Sequence, residues 1–348
     1  MKYFPLFIFT AFILCCCSSN SNNCFPFQIK TSNAVLVKPE IFKTDKIHAE
    51  IYDIRILDSV LVLRSDDGRG CLQLFNKYNY KYLATNGIKG RGPGEILNDM
   101  IEIKTINDSL HLFQLSKNSI SIFDKNKFLS ESLPIADKTI TFEKYKGNFD
   151  IFPINDYYVS RPTIKTRFAI YNSSGQYIDE YLQYPNLGTN IDQETHDIAF
   201  RFFSLTEPKP DLSKFVSLTF LGATLEIFNV KNGVINKLVE KKYLDPNLKN
   251  SKDLTKIVTE ETNMGFYGVY VTNNFIYASY SGLKEKDYRK NNILLDYITV
   301  FDWNGDIKKI YKVEGGLLDL AVDEVLNKIY IVTKSADGDE VVGFFNIK

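Results

Sequence analysis

The chain has 348 residues, of which 44% are hydrophobic and 24% are charged, as is usual for a folded protein with a substantial core. Its 42 basic and 42 acidic side chains cancel, so no net charge favours binding to nucleic acid or to anionic lipid. The high aromatic content, 26 Phe and 21 Tyr against three Met, favours β structure.

Residues 1–16 are predicted to be a lipoprotein signal peptide. Lys2 precedes an apolar run, residues 3–14, that is too short to span a bilayer stably. Leu14 stands three positions before Cys17, which makes Cys17 the predicted lipidation site; Cys16, with Ile13 in the same role, is the alternative. Two or more acyl chains would anchor the protein to a membrane stably. The other interpretation is an ordinary cleaved signal peptide with incidental cysteines.

Residues 17–30 are predicted to be a flexible tether. The stretch "SSNSNNC" is polar and shows no apolar periodicity. It is not acidic, so it gives no signal for export to the outer cell surface.

The remaining residues, 31–348, carry six copies of one short signal, an alternating run that ends in an aromatic residue followed by Asn or Asp. The aromatic residues recur every 44 to 73 positions, and runs with the character of strands lie on both sides of the copies. Repeating units of this size that are made only of strands are typical of propeller blades. We therefore predict an all-β, six-bladed β-propeller of four-stranded antiparallel meanders. The predicted third strands are "CLQLFN", "SISIFD", "RFAIYN", "TLEIFN", "YITVFD" and "VVGFFN".

The sixth unit ends with its third strand, so its outer strand has to come from elsewhere in the chain. The segment "NAVLVKPEIF", residues 33–42, precedes the first unit and has no other partner. We expect this N-terminal strand to complete the last blade, because an open ring would leave unpaired backbone groups on two blades.

The stretch "GIKGRGPGE", residues 87–95, is rich in glycine but does not match a phosphate-binding loop. Glu95 follows the last glycine where a Walker loop requires Lys and then Ser or Thr, and the residues after it have the character of a strand. The glycine spacing also differs from the dinucleotide-binding fingerprint. We interpret the stretch as the connection between the first two blades. Arg91 and Glu95 either pair and lock this loop or face the mouth of the central channel.

Three longer segments interrupt the later units. Residues 189–203 are expected to contain one turn of helix, and residues 245–264 a short helix between blades. Residues 283–292, "LKEKDYRKNN", are expected to form a charged hairpin tip. Long loops on one face of a propeller often shape what that face binds.

The stretch "GRGPGE", together with "YDIRILDSVLVL", "TVFDWNGDIKKIYKV" and "LAVDEVLNKIYIV", resembles the TolB-like six-bladed β-propeller lipoproteins of Gram-negative bacteria. The resemblance covers the chain from about residue 30 onward, together with the lipobox. It implies a propeller in the cell envelope, anchored to the inner or outer membrane and facing the periplasm. It implies no set of catalytic residues.

The usual catalytic and metal-binding motifs do not occur in the sequence, and no cofactor is predicted. The stretch "DWNGD", residues 302–306, begins like a calcium loop but has Val313 where the bidentate Glu belongs. His196 lies among three acidic residues, which suggests either a metal or acid–base cluster or a plain polar loop. The candidate residues for a channel mouth or its loops are Arg91, Glu95, Arg161 and His196.

Three functions remain open from the sequence. The first is a membrane-anchored binding or scaffolding lipoprotein with an unknown protein or glycan ligand. The second is a propeller hydrolase or lyase that acts on a glycan or peptide at the channel mouth. The third is an envelope assembly factor that binds a partner protein, which rests on analogy at the level of the fold.

Overall fold

The computed structural model describes residues 27–42, 50–65, 70–92, 94–97, 101–131, 133–145, 147–163, 166–184, 203–249, 256–290 and 294–347. Two short strands come first in this part of the chain, β1 (Val35–Val37) and β2 (Glu40–Ile41). All later strands belong to six antiparallel meanders, which we number as blades 1 to 6 in chain order. Among the described residues, no helix is long and apolar enough to span a bilayer.

Blades 1 to 3 each contain four consecutive strands. Those of blade 1 are β3 (Ile51–Leu57), β4 (Val60–Ser65), β5 (Gly70–Asn76) and β6 (Tyr82–Ile88). Those of blade 2 are β7 (Ile101–Ile106), β8 (Ser109–Gln114), β9 (Ser119–Asp124) and β10 (Lys138–Thr141). Those of blade 3 are β11 (Asn148–Ile154), β12 (Tyr157–Pro162), β13 (Phe168–Asn172) and β14 (Tyr177–Tyr181).

Blades 4 to 6 follow the same order. Those of blade 4 are β15 (Ser204–Pro208), β16 (Phe215–Thr219), β17 (Ala223–Lys231) and β18 (Val234–Leu244). Those of blade 5 are β19 (Phe266–Val271), β20 (Phe275–Tyr280), β21 (Leu295–Asp302) and β22 (Ile307–Leu317). Those of blade 6 are β23 (Asp319–Asp323), β24 (Lys328–Lys334) and β25 (Glu340–Asn346). The prediction of six meanders in a ring is confirmed.

The aromatic residue that marks each sequence copy lies in the third strand of its blade and is buried. Its burial explains why the signal repeats, because a blade packs on its neighbour through large side chains that project from its middle strands. Phe75, for example, contacts the rings of Phe42 and Tyr82. The six marker residues are Phe75, Phe123, Tyr171, Phe228, Phe301 and Phe345.

The Asn or Asp after the aromatic residue organises the turn that follows. The Asn172 and Asp302 side chains each accept a backbone hydrogen bond from the residue two positions later, at 3.0 and 2.9 Å. In blade 2 the equivalent Asp124 instead caps a helix, α1 (Lys125–Ser130), by accepting from the Asn126 and Lys127 amides. The same residue type therefore starts a hairpin in some blades and a helix in another.

The N-terminal segment closes the ring but divides its strands between two blades. β2 pairs antiparallel with β25 and so supplies the missing outer strand of blade 6. β1 pairs parallel with β22 and adds a fifth strand to blade 5. Phe42, just after β2, stacks on the Tyr80 ring of blade 1 with centroids 4.7 Å apart. One short segment thus joins blades 5, 6 and 1.

Residues 27–30, which precede the predicted start of the propeller at residue 31, contact its outer strands. The Phe27 ring lies 5.9 Å from that of Tyr243 on the outer strand of blade 4. Ile29 packs against the core between blades 4 and 5. Residues 27–30, expected to be part of the tether, therefore lie on the propeller surface.

The glycine-rich stretch connects blades 1 and 2, as predicted. The Glu95 carboxylate closes the loop by accepting a 2.6 Å hydrogen bond from the Gly92 amide. A side chain at Gly90 would displace that carboxylate, and the φ of +77° at Gly94 favours glycine there. Among the described residues Arg91 is exposed and forms no ion pair with Glu95, so the lock is a contact of Glu95 with the backbone.

The predicted charged hairpin tip at residues 283–292 connects the antiparallel strands β20 and β21, and it contains a helix that was not predicted, α2 (Glu285–Lys290). Its acidic first turn and basic last turn complement the helix dipole, and Arg289 pairs with Glu285 one turn away. Tyr288 is buried against Tyr267, with ring centroids 4.4 Å apart. A charged sequence therefore formed a helix because one aromatic residue anchors it to the propeller.

The other two long segments lie partly outside the described residues. The helical turn expected within residues 189–203 falls almost entirely there, as does the centre of the helix expected within residues 245–264. In the described part of the latter, Ile257 is buried and its carbonyl accepts a 2.9 Å hydrogen bond from the Lys249 amide.

Candidate functional site

The first strand of each blade lines the central channel, and three of these strands share a bulge. The ladder register shifts at Tyr52 in β3, at Phe149 in β11 and at Tyr267 in β19. A bulge bends its strand and redirects the side chains next to it. Blades 1, 3 and 5 thus each place an aromatic residue at the end of the channel where the first strands begin. We call this end the mouth.

A cavity of about 190 Å³ opens at the mouth. We call it the mouth cavity. Every blade contributes a residue from its first strand, and most of these residues are charged. The contributing residues, in blade order, include Asp53, Glu102, Asp150, Glu207, Tyr267 and Asp319.

Deeper in the channel, five side chains form a connected set of ion pairs, which we call the plug. Arg55 bridges Asp53 and Glu207, with Nε–Oδ1 and Nη2–Oε1 distances of 3.1 and 2.8 Å. Lys104 bridges Asp150 and the same Glu207, with Nζ–O distances of 3.0 and 3.3 Å. Blades 1 to 4 are therefore joined across the channel through charged side chains, all of them nearly excluded from solvent.

The plug separates the mouth cavity from a smaller one of about 70 Å³ on its other side. Arg55, Lys104 and Glu207 line both cavities. The smaller cavity is completed by residues near the far ends of the first strands, such as Ile106 and Val271. The mouth cavity is consequently a blind pocket.

The cations of the plug are held firmly in the charged state. Burial opposes the charge on Lys104, but Asp150 and Glu207 outweigh it and raise its pKa above the ordinary value. Burial likewise opposes the charge on Arg55, whose pKa is nevertheless raised by Asp53 and Glu207. Buried ion pairs of this kind resist the removal of one partner, since the other is then left uncompensated.

Asp319 of blade 6 approaches Asp53 of blade 1 at the edge of the mouth cavity. Burial, and next the Asp53 carboxylate, hold the pKa of Asp319 well above its ordinary range, and the two side chains share a hydrogen bond. Asp319 also accepts a 3.0 Å hydrogen bond from the Ile54 amide. Asp319 therefore belongs to a carboxyl pair that ties blade 6 to blade 1, and its surroundings favour the protonated form.

Two further arginines line the mouth cavity from the second strands of blades 1 and 3. Arg64 stands opposite Asp53 in the ladder, and Arg161 stands opposite Asp150. Arg161 donates a 2.6 Å hydrogen bond to the Ser204 carbonyl and lies 4.5 Å from the Phe203 ring centroid. Arg64 lies over the Tyr52 ring and makes a long hydrogen bond of 3.4 Å to the Tyr52 carbonyl.

Glu102 lies on blade 2, between the blades that carry these two arginines. Burial raises the pKa of Glu102 from an ordinary 4.5 to about 7, although Arg64 and Lys104 act in the opposite direction. Burial lowers the pKa of Arg161, against the pull of Asp150 and Glu102. The mouth cavity thus holds a carboxyl group that titrates near neutrality close to two arginines.

The structure places the predicted site residues in different parts of the molecule. Arg161 lines the mouth cavity. Arg91 and Glu95 lie in the loop between blades 1 and 2 and do not line it. His196 and Cys17 lie outside the described residues.

Most of the channel residues escaped prediction from sequence. Asp53, Arg55, Glu102, Lys104, Asp150, Glu207 and Asp319 stand in ordinary strand patterns. One signal was present, a repeated aromatic residue followed by Asp or Gly and then a β-branched residue. It occurs in "YDI", "FDI" and "YGV" at residues 52–54, 149–151 and 267–269, which are the three bulges.

A comparison with known proteins agrees with this architecture. The family model described as TolB-like 6-blade propeller-like matches residues 25–325. No curated protein matches the sequence. A candidate exported protein from Bacteroides fragilis NCTC 9343 superposes with a TM-score of 0.57 at 12% identity, over 90% of this chain and 100% of its own. A member of the DUF4221 family from Bacteroides vulgatus ATCC 8482 gives 0.57 at 13% identity, over 92% and 96% of the two chains. At these identities the likeness to the solved structures concerns the fold alone.

Proposed function

We propose that this chain, which belongs to the family of TolB-like six-bladed propellers, is a membrane-anchored binding lipoprotein of the cell envelope whose ligand site is the mouth cavity. The observation that carries the proposal is the blind pocket, which has charged and aromatic groups from several blades at its entrance and a plug beneath it. A closed base favours retention of a ligand over its passage through the ring.

The distribution of contacts favours binding over chemistry. Asp53 is engaged by Arg55, and Asp319 accepts a hydrogen bond from the Ile54 amide, so both carboxyl groups already serve the structure. Arg64 and Arg161 have few partners by comparison. Groups that are positioned but not engaged by the fold are the ones available to a ligand.

The binding site can be tested by photo-crosslinking in cells. A benzoyl-phenylalanine at Tyr52, which is 50% exposed at the mouth, is expected to form a covalent adduct. The matched control is Tyr78, which is 59% exposed. Its neighbour Lys77 pairs with Asp323, at the end of β23 opposite to the mouth, so Tyr78 lies away from the mouth. Equal labelling at the two positions, or none at position 52, would contradict the proposal.

The mass of the adduct separates the kinds of ligand. A small increment identifies a glycan or peptide fragment, as expected for a pocket of this size. An increment of protein size identifies a partner protein and favours the role of an envelope assembly factor.

Anchoring at the membrane is supported by the lipobox pattern before Cys17 and by the exported character ascribed to the Bacteroides fragilis relative. Cys17→Ala is expected to abolish labelling of the protein by radioactive palmitate and to release it from the membrane fraction. Cys16→Ala is the matched control and should leave both unchanged. The opposite pattern would identify Cys16 as the lipidated residue.

One observation favours a hydrolase or lyase as a second candidate. Asp53 and Asp319 share a hydrogen bond beside the cavity, and burial raises the pKa of Asp319, an arrangement that can serve general acid–base chemistry. If the protein cleaves the captured molecule, Asp319→Asn should abolish turnover while the Tyr52 adduct persists. An unprocessed adduct in the unsubstituted protein would argue against catalysis.

A further inference from the structure

We infer that the ligand of the mouth cavity carries a single carboxylate group, which is bound between Arg64 and Arg161. The inference rests on the proposed function, since it names the chemistry of the molecule that the cavity holds. It applies to a uronic acid sugar and to the carboxyl terminus of a short peptide, which present the same group.

The four cations that line the mouth cavity fall into two classes. Arg55 and Lys104 each form two ion pairs within the plug. Arg64 and Arg161 form no ion pair among the described residues, although each stands directly opposite an aspartate in its ladder. Arg55 and Lys104 therefore neutralise carboxylates of the protein itself, whereas Arg64 and Arg161 are available to an anionic ligand.

Arg161 is the stronger part of this argument because it is only 8% exposed. Its Nε atom is buried and has no hydrogen-bond partner in the described part of the chain. Its guanidinium lies 4.5 Å from the Phe203 ring centroid and 5.7 Å from that of Phe149. Burying a cation without an ionic partner is costly, and ring contacts offset only part of that cost. A ligand anion would compensate this charge.

Arg64 repeats the arrangement on blade 1. Its Nε atom is also buried without a partner in the described chain, and its guanidinium lies 5.3 Å from the Tyr52 ring centroid. Tyr52 and Phe149 are the bulge residues of their strands. Blades 1 and 3 therefore present the same pair of groups, an arginine on a bulged aromatic ring, on the two sides of blade 2.

The charge of the lining limits the charge of the ligand. Four cations face five carboxyl groups. Burial holds the pKa of Asp319 well above its ordinary range and raises that of Glu102 to about 7, so both carboxyl groups lose negative charge as the pH falls below 7. A single negative charge from the ligand is therefore favoured, whereas a doubly charged phosphate would add repulsion from the nearby carboxylates. Guanidinium groups also match the planar geometry of a carboxylate.

The volume limits the size of the ligand. A cavity of about 190 Å³ corresponds to roughly six water molecules, since each occupies about 30 Å³ in the liquid. This space accommodates one sugar ring or one to two small amino-acid residues. Longer molecules would extend outward past Tyr52.

Glu102 links binding of the anion to uptake of a proton. The charged groups that face it are Arg64, Arg161, Lys104, Asp53 and Asp150. A carboxylate placed between Arg64 and Arg161 would weaken their attraction for the Glu102 carboxylate and so raise its pKa further. Binding should therefore be tighter at pH 6 than at pH 8, by about three- to tenfold.

The test is calorimetric titration of the full-length protein in detergent with sodium D-glucuronate and with N-acetyl-alanyl-alanine, whose blocked amine leaves the carboxylate as its only charge. D-Glucose and N-acetyl-alanyl-alaninamide are the matched neutral probes, and inorganic phosphate at pH 8 is the dianion. We expect one of the carboxylates to bind, its neutral counterpart not to bind, and phosphate to bind at least tenfold more weakly. The probe that binds distinguishes a sugar acid from a peptide terminus.

Variants locate the site. Arg161→Gln and Arg64→Gln should each weaken binding at least tenfold, and Arg161→Lys should restore part of the loss. Arg289→Gln, at an exposed arginine of α2, is the matched control and should bind as the unsubstituted protein does. If Arg161→Gln does not fold, Arg64→Gln and the pH dependence still decide the question.

Several outcomes would overturn the inference. The first is that neither carboxylate binds at concentrations up to about 10 mM, which is the range of weak ligand affinities. The second is that a neutral probe binds equally well, and the third is that phosphate binds more tightly. The fourth is an affinity that neither arginine variant changes. An adduct at position 52 that persists alongside any of these results leaves the proposed binding function intact. Loss of that adduct would instead count against the binding function itself.

Discussion

The plug and the mouth cavity occupy successive levels of one channel and use the same residue types in opposite ways. In the plug, Arg55 and Lys104 each contact two carboxylates. At the mouth, Arg64 and Arg161 form no ion pair in the described chain and rest on aromatic rings. Charges in the plug hold blades together, whereas charges at the mouth are positioned without being neutralised.

The difference shows how a ring of blades combines stability with function. The first strands converge, so polar side chains from opposite blades meet across the channel and can satisfy one another. At the mouth, Arg64 and Arg161 stand opposite Asp53 and Asp150 in their ladders, next to the bulges at Tyr52 and Phe149, and form an ion pair with neither aspartate in the described chain. Unsatisfied buried charge is expected where a protein trades stability for binding.

The largest expected effect comes from removing a cation of the plug. Lys104→Met leaves Asp150 and Glu207 without a common partner and should lower the free energy of unfolding by about 3–5 kcal/mol. Urea unfolding at pH 7 measures the loss. The control is Lys38→Met, which removes an exposed ion pair with Glu314 and should change stability by less than about 1 kcal/mol. Equal losses for the two variants would mean that the plug does not hold the ring.

Glu102 should make stability depend on pH. Its pKa in the folded protein is about 7, against an ordinary 4.5, so its contribution is fully present below about pH 4.5 and is lost as the pH rises through 7. Glu102→Gln should therefore match the unsubstituted protein near pH 4.5 and exceed it by about 3 kcal/mol at pH 8. Urea unfolding at both pH values, with Glu314→Gln as an exposed control, measures this. A difference that does not vary with pH would rule out the raised pKa.

Arg161→Met should change stability much less than Lys104→Met. The variant loses the hydrogen bond to the Ser204 carbonyl but also removes a buried charge that has no ion pair. These effects oppose each other, and the net change should stay within about 1 kcal/mol. A loss as large as that of Lys104→Met would place Arg161 with the structural charges.

The smallest effect is expected outside the channel, where Glu261 pairs with Lys284 and Lys286 on the surface. These ion pairs are exposed and screened by water, so Glu261→Gln should leave the urea midpoint unchanged. Lys284→Gln should behave in the same way. A clear loss of stability in either variant would show that α2 is held to the propeller by charge more than by Tyr288.

The repeating elements could be predicted from the sequence because each is a local pattern. An alternating run that ends in a buried aromatic residue and a turn-forming Asn or Asp marks the third strand of every blade, from Phe75 to Phe345. The closing role of residues 33–42 followed from the unit that lacked an outer strand. The helix at Glu285–Lys290 could not be predicted, because it depends on the contact of Tyr288 with Tyr267 of a distant strand.

Of the site, the sequence by itself determined only that Arg161 is a candidate residue for the channel mouth or its loops. The closure of the ring decided which charges meet. It brings Arg55 of blade 1 to Glu207 of blade 4, although the two residues are 152 positions apart in the sequence. Side-chain pairing across a channel depends on distance and burial in three dimensions, and neither is encoded in local periodicity. The strand pattern therefore fixed the ring, and the convergence of the ring fixed which cations became structural and which stayed open to a ligand.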